Sequence, residues 1–515
     1  MTQAHPTETH GGDLAALATG GRTNFVGFLL RLAARLPFLF IAGRYYGPEA
    51  LGRFASAVIV VELIAMLCTM GEKRGLAQRL ANHDDDPVPL VADGLTLAFL
   101  VGTVGALALW LVPAPMFPSG IYNEIDRLMV LAIPALATTE IILSAQAFRF
   151  DVGATVRARA IVEPWTISIM AGVMALVAPR SGLAIAYLLS IYAALATAAW
   201  SLVRTYGLPR GWRPSPRRMA SLAYRGLPLA GADVIEWGTR RLDIFLLGLF
   251  AAPSAVGVYY VAQQVASLPQ KLKTSFEPIL GPVLTRKLRE KDYAAIAKQV
   301  CQVGFWITAA QAGVGLALGI PGEAIMGLVG PHFVGGTGAL GFLLAAEVVA
   351  ATAVVAEAAL IYVARIRNLW VSVATIVLQG SLTTAAMLLA DRLEFNDGWR
   401  AASAAASLMV ALGVSSLVKA VMLSRILGRP INNWRWALVW AAAAAVVVGQ
   451  GVILLPEWAE LVLGIPILLG VYGWIIWTRG FGPEDRVLFT RKVTHEYPAE
   501  RLPGKDSSQL EDLNG

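Results

Sequence analysis

Long runs of apolar residues, separated by short polar or glycine- and proline-containing turns, recur along the whole chain. Runs of spanning length begin near residues 24, 54, 90, 127, 160, 183, 227, 255, 299, 338, 369, 400, 434 and 459. A helix rises about 1.5 Å per residue, so about 20 residues cross the ~30 Å hydrocarbon layer of a bilayer. In lipid, only helices and closed barrels satisfy every backbone polar group. The pattern therefore predicts an all-α polytopic membrane protein with about fourteen transmembrane helices. Composition agrees, with 56% hydrophobic and only 15% charged residues and a mean hydropathy of +0.61, where a soluble chain is about one quarter charged.

Charge refines the topology. Basic residues cluster in alternate short turns: Arg149, Arg157 and Arg159; Arg204, Arg210, Arg213, Arg217, Arg218 and Arg225; Arg286, Lys287, Arg289 and Lys291; Arg365 and Arg367; Arg425, Arg429 and Arg435. The other turns carry few. The basic set is expected to face the cytoplasm, with both termini on that side. The net charge of +7 then reports topology and not nucleic-acid binding. The Asp84-Asp85-Asp86 run falls on the basic side as an exception, and His83 beside it reads as part of a solvated turn. Residues 1–21 are polar and lack the pattern of a cleaved leader, so the run from Asn24 to Gly43 is expected to be an uncleaved first span. Cys68 and Cys301 lie in apolar helices and suggest neither a disulfide framework nor a metal site. No stretch between spans is long enough for a catalytic domain.

Offsetting the chain by 205 residues places Gly43, Pro48, Ala50, Gly52 and Ala57 on Gly248, Pro253, Ala255, Gly257 and Ala262. In the same register Arg35 meets Arg240 and Glu72 meets Glu277. The repeat predicts two parallel six-helix lobes, because an even number of spans per copy preserves orientation. The expected divisions are 1–21 as an N-terminal segment, 22–203 as the first lobe, 204–225 as a basic linker and 226–424 as the second lobe. Two added helices follow over 425–478, then a polar tail over 479–515.

Charges inside the spans mark candidate chemistry, since an Arg, Lys or Asp at a helix centre costs roughly 2.5–3.5 kcal/mol. Arg31 and Arg35 lie four apart in the first span. Asp233, Glu236, Arg240 and Asp243 follow spacings that place them on one helix face, with Glu236 and Arg240 set to pair. Glu72, Lys73 and Arg74 end the second span, and Lys271, Lys273 and Glu277 end the eighth. These six read as a cavity mouth or as interfacial anchors. Arg31 and Arg35 read as cavity lining or as snorkelling side chains, and the 233–243 group as a substrate site or as an ion-pair network between lobes. Arg241 points off that face toward a neighbouring helix. Glu140, Glu347, Glu357 and Lys419 read as isolated intramembrane charges.

The opening RLAARLPFLFIAGRYYGPEALGRFASAVIV, the stretch RRLDIFLLGLFAAPSAVGVYYVAQQVASLPQ and the turn IMGLVGPHFVGG resemble the Wzx-type polysaccharide-biosynthesis flippases. These belong to the multidrug/oligosaccharidyl-lipid/polysaccharide exporter superfamily. The Glu72-Lys73-Arg74 cluster departs from the common pattern. The resemblance implies a MATE-like, V-shaped pair of lobes around a central cavity, and alternating-access transport of an undecaprenyl-pyrophosphate oligosaccharide for surface polysaccharide or lipopolysaccharide. It implies transport and not enzymatic turnover, partners in a polysaccharide polymerase and a chain-length regulator, and no cofactor beyond a coupling proton or sodium ion. Arginine suits the pyrophosphate because its planar donors match phosphate oxygens. Arg31, Arg35 and Arg240 are therefore the expected clamp, with Asp233, Glu236 and Asp243 accepting sugar hydroxyls. Lipid II flipping, a drug or cation antiporter of the same superfamily, and a membrane glycosyltransferase or polymerase are the alternatives.

Overall fold

A computed structural model describes residues 36–81, 87–149, 151–209, 212–274, 287–288 and 290–486. Among the described residues the protein is helical, with no strand. The principal helices are α1 (Gly47–Cys68), α2 (Glu72–Ala81), α3 (Pro87–Leu111), α4 (Ala132–Phe148), α5 (Glu163–Val177), α6 (Gly182–Tyr206), α7 (Pro216–Phe250) and α8 (Pro253–Thr274). They continue as α9 (Tyr293–Gly319), α10 (Gly322–Val329), α11 (Thr337–Val363), α12 (Arg365–Arg392), α13 (Asp397–Leu427), α14 (Trp436–Val452) and α15 (Ile465–Ile475).

Ten helical stretches among the described residues are long and apolar enough to cross a membrane. One of them, Leu36–Cys68, is interrupted at Gly47, whose φ of 76° and ψ of 176° end the first helix and start α1. The expected fourteen also counts α7 and α8, which carry more charge, and α14, which has 17 residues. Length and composition alone do not establish these as spans. Local signals set the ends. Proline opens α1, α5 and α7 in the first turn, where its missing N–H costs nothing. Asp292 and Asn396 cap α9 and α13 through Ala295 N and Trp399 N, each at 3.0 Å. Gly428 ends α13 in the left-handed region.

In the first half α1, α3, α4, α5 and α6 pack together, and in the second α8, α9, α11, α12 and α13 do so, with α14 and α15 laid against α9. The halves meet through α1 against α7 and α8. A Cβ on Gly52 would run into the carbonyl oxygen of Pro253, and one on Gly257 into that of Pro48. Each would also lie 2.9 Å from the other glycine's backbone nitrogen. Pro48 and Gly52 are the repeat mates of Pro253 and Gly257, so the contact is reciprocal. That geometry is what a two-fold relation between parallel repeats requires.

At the opposite end, α1 stops at Met70 and Gly71, with φ of 49° and 72°. There Gly71 and Gly226 of α7 meet backbone to backbone, leaving no room for a side chain on either. The two halves therefore touch at both ends of α1.

Candidate functional site

The left-handed turn at Met70 and Gly71 redirects the chain into α2 and points the consecutive side chains of Lys73 and Arg74 in different directions. Arg74 crosses to the second half. Its Nε lies 2.8 Å from Asp233 Oδ1 and its Nη2 lies 2.5 Å from Glu236 Oε2. Arg240 holds the other Glu236 oxygen at 3.4 Å. Lys73 stays in the first half, 3.1 Å from Glu140, which also pairs with Arg159 at 2.5 Å. Arg159 continues to Glu163 at 2.7 Å. One dipeptide thus joins two charge ladders. Its four cations and four carboxylates cancel, which is how charge survives at low dielectric.

The four expected residues of α7 separate in the structure. Asp233 is sealed at 1% exposure, whereas the Glu236 and Arg240 side chains are 44% and 53% exposed. Asp243 is also buried but belongs to another cluster. It accepts from Tyr259 Oη at 2.6 Å and Gln263 Nε2 at 3.1 Å, both on α8. Arg241 turns toward Gln263, with Nη1 3.2 Å from its Oε1, and toward Glu62 of α1 at 3.9 Å. Between the two clusters, Trp237 Nε1 donates to the Ile59 carbonyl at 3.1 Å, another α7-to-α1 bond.

Glu72 is buried and pairs with Arg79, beside the close approach of Gly226 of α7. Arg31, Arg35 and Glu277 lie outside the described residues, as do His83 and Asp84 to Asp86. So do the side chains of Lys271 and Lys273, although both residues are in α8.

Several of these contacts were not foreseen. Glu140 is a junction and not an isolated charge. Glu357 and Lys419 are a pair, 2.9 Å apart between α11 and α13. Of these, only the i, i+4 spacing of Arg159 and Glu163 was visible as a local signal. The basic linker is also more than a topology marker. Asp93 in α3 is 3% exposed and accepts from Trp212 Nε1 at 2.9 Å and from Arg218 Nε at 2.8 Å. Met219 and Leu222 pack beside it on Leu97. Helix α7 begins at Pro216, so the expected domain boundary at 226 falls inside a continuous helix.

Another buried charge lies past the last span. Asp485 Oδ1 accepts from Gln302 Nε2 at 3.0 Å and Trp306 Nε1 at 2.9 Å. Its Oδ2 accepts from Arg435 Nη1 at 2.7 Å and Gly482 N at 2.9 Å. Burial pushes this carboxyl up, but the bonds from Arg435, Gly482, Trp306 and Gln302 outweigh it and hold the group below the usual carboxylate range.

The interlobe helices α1, α7 and α8 that carry these clusters fall within a recognised sequence family. The family described as "Polysaccharide biosynthesis protein" matches residues 41–310, more than half of the chain. The chain belongs to this family. That match includes GPEALGRF and RRLDIF, from two of the three segments on which the resemblance rested, and ends before the IMGLVGPHFVGG turn. No curated protein sequence matches the chain significantly. Solved structures show that this polysaccharide biosynthesis protein has the fold of the exporter superfamily. An inward-facing MATE family multidrug transporter is similar at TM-score 0.61 and 15% identity, covering 77% of this chain and 98% of the transporter. The lipid II flippase MurJ, in an inward closed conformation, is similar at TM-score 0.64 and 12% identity, covering 88% and 98%. Identities this low show the shared fold alone.

Proposed function

We propose that this polysaccharide biosynthesis protein is a flippase. It moves a polyprenyl-pyrophosphate-linked oligosaccharide from the cytoplasmic to the outer leaflet of a bacterial inner membrane, ahead of polymerisation. The end bearing Met70, Gly226 and the basic turns faces the cytoplasm, and both termini lie there.

The observation that carries this reading is the Arg74 bridge. Arg74 belongs to the first half, and its carboxylate partners Asp233 and Glu236 belong to the second. Separating the halves at this end breaks two ion pairs, takes the guanidinium from the buried Asp233 carboxylate and leaves the partly exposed Arg74 open to another anion. A pyrophosphate does so with matched bidentate geometry. Its arrival frees Asp233 and Glu236 for sugar hydroxyls and leaves Arg240 beside the same opening, with Arg31 and Arg35 as the proposed deeper contacts. The headgroup thus supplies the interaction that stabilises the open state, which is what substrate-driven alternating access requires.

The test is transport by the purified protein in liposomes, with a fluorescent undecaprenyl-pyrophosphate oligosaccharide, lipid II and an organic cation as separate cargoes. The oligosaccharide is expected to cross, and Arg74→Ala is expected to slow it by about tenfold to a hundredfold, the worth of a charge-assisted contact. Movement of lipid II or of the cation alone, or full activity in Arg74→Ala together with Arg31→Ala and Arg35→Ala, overturns the reading.

A further inference from the structure

Away from the interlobe charges, a shallow cleft of about 280 Å³ opens beside the start of α9. Its walls are Ala294, Ala297, Lys298 and Cys301 of α9, faced by Arg429 and Pro430 of the turn between α13 and α14. We propose that this cleft holds the phosphate-bearing headgroup of an anionic glycerophospholipid from the surrounding leaflet.

Three observations support the assignment. The first is charge. Lys298 and Arg429 place two cations on opposite walls that are otherwise small and apolar. Lys298 pairs with Glu484 at 2.9 Å, but both side chains are more than half exposed, so water screens that pair heavily. Arg429 has no ion-pair partner among the described residues, and the lining carries a net positive charge.

The second is rigidity. Gly428 takes φ 64° and turns the chain out of α13, bringing Arg429 across to α9. The turn is then pinned. Asn432 N donates to Cys301 Sγ at 3.3 Å, Asn433 Nδ2 donates to Thr308 Oγ1 at 2.8 Å, and Thr352 Oγ1 donates to Asn433 Oδ1 at 2.9 Å. A preorganised cleft spends little ordering entropy when a ligand enters.

The third is depth. Trp434, Trp436 and Trp440 continue from the same turn and are 54%, 74% and 61% exposed. Tryptophan with one apolar side and one N–H favours the headgroup level of a bilayer. The cleft therefore opens where lipid phosphates lie, and the apolar surface of α14 offers the acyl chains a path alongside.

The experiment is native mass spectrometry of the full chain in detergent, titrated with phosphatidylglycerol or phosphatidylcholine. Wild type is expected to retain phosphatidylglycerol preferentially. Lys298→Ala/Arg429→Ala is expected to weaken that retention roughly tenfold, the effect of removing two basic groups at a membrane surface. Lys298→Arg/Arg429→Lys is expected to keep it, which separates lost charge from lost folding. Arg213→Ala/Arg217→Ala removes the same charge elsewhere on the basic end and is expected to change little. Equal loss in that control assigns the effect to general surface charge and overturns the proposal. So does undiminished retention in the alanine pair, and so does displacement of the lipid by millimolar inorganic phosphate.

Discussion

Arg74 and Asp485 show how single residues set the electrostatics of this protein. Arg74 is flanked by a buried Glu72 and a Lys73 committed to Glu140, so the Glu72-Lys73-Arg74 triplet does three separate things. The sequence marked the triplet but not the division, because it follows from the backbone turn at Met70 and Gly71. Asp485 lies in a polar tail with no local pattern to mark it, and its role depends on Gln302, Trp306 and Arg435 arriving from other helices. Removing its carboxylate takes the acceptor from the buried Gln302 and Trp306 donors, so Asp485→Ala is expected to destabilise the α9–α14 region by about 1–3 kcal/mol, read by thermal unfolding in detergent. The folded pKa of Asp485 is depressed, so its contribution is complete above the unfolded carboxylate value near pH ~4 and is lost as pH falls through the lower folded value. Wild type is expected to lose stability on that acid limb, and Asp485→Asn to show less of the loss.

At the scale of elements, α7 is decisive. It runs 35 residues, with Pro228 inside it. Its first turn, through Arg218, and the preceding linker, through Trp212, dock on Asp93 of α3 in the first half, and its later turns carry Asp233 to Asp243. The apolar run near 227 located the middle and end of this helix. The docking was not legible, because an isolated Asp in one span and a Trp in a linker declare no partnership. Asp93→Ala is expected to release residues 212–222, costing about 1–3 kcal/mol and accelerating their amide exchange while α9 and α11 stay protected. Unchanged exchange there sinks the docking role. Helix α7 also explains why one predicted face became two sites. Asp233 and Asp243 are both buried, but one meets α2 and the other α8, so the neighbouring helices set the environments and not the spacing.

For the whole molecule, the repeat is the organising fact. Gly52 and Gly257 meet at a reciprocal backbone contact, and any side chain on either must push α1 from α8. Gly52→Val and Gly257→Val are therefore expected to act alike, at about 1–3 kcal/mol against closure of that end. Ser56 lies close to Gly248 near this crossing. In a background lacking Cys68 and Cys301, labelling of Ser56→Cys by a membrane-impermeant thiol reagent is expected to rise about fivefold or more in either variant. A rise in one variant and not the other contradicts the two-fold relation.

The sequence by itself determined the class of protein, the positions of its apolar runs and the register of its repeat. These follow from local quantities: run length against bilayer thickness, the price of charge in hydrocarbon, and glycine where backbones must touch. The tertiary structure decided which charges belong together. A buried charge survives only by finding a partner, and these partners lie far away in sequence: Arg74 with Asp233, Asp93 with Arg218, Glu357 with Lys419, Arg435 with Asp485. Hydrophobicity is a property of each residue in its own run, whereas neutralisation is a property of the assembled helices.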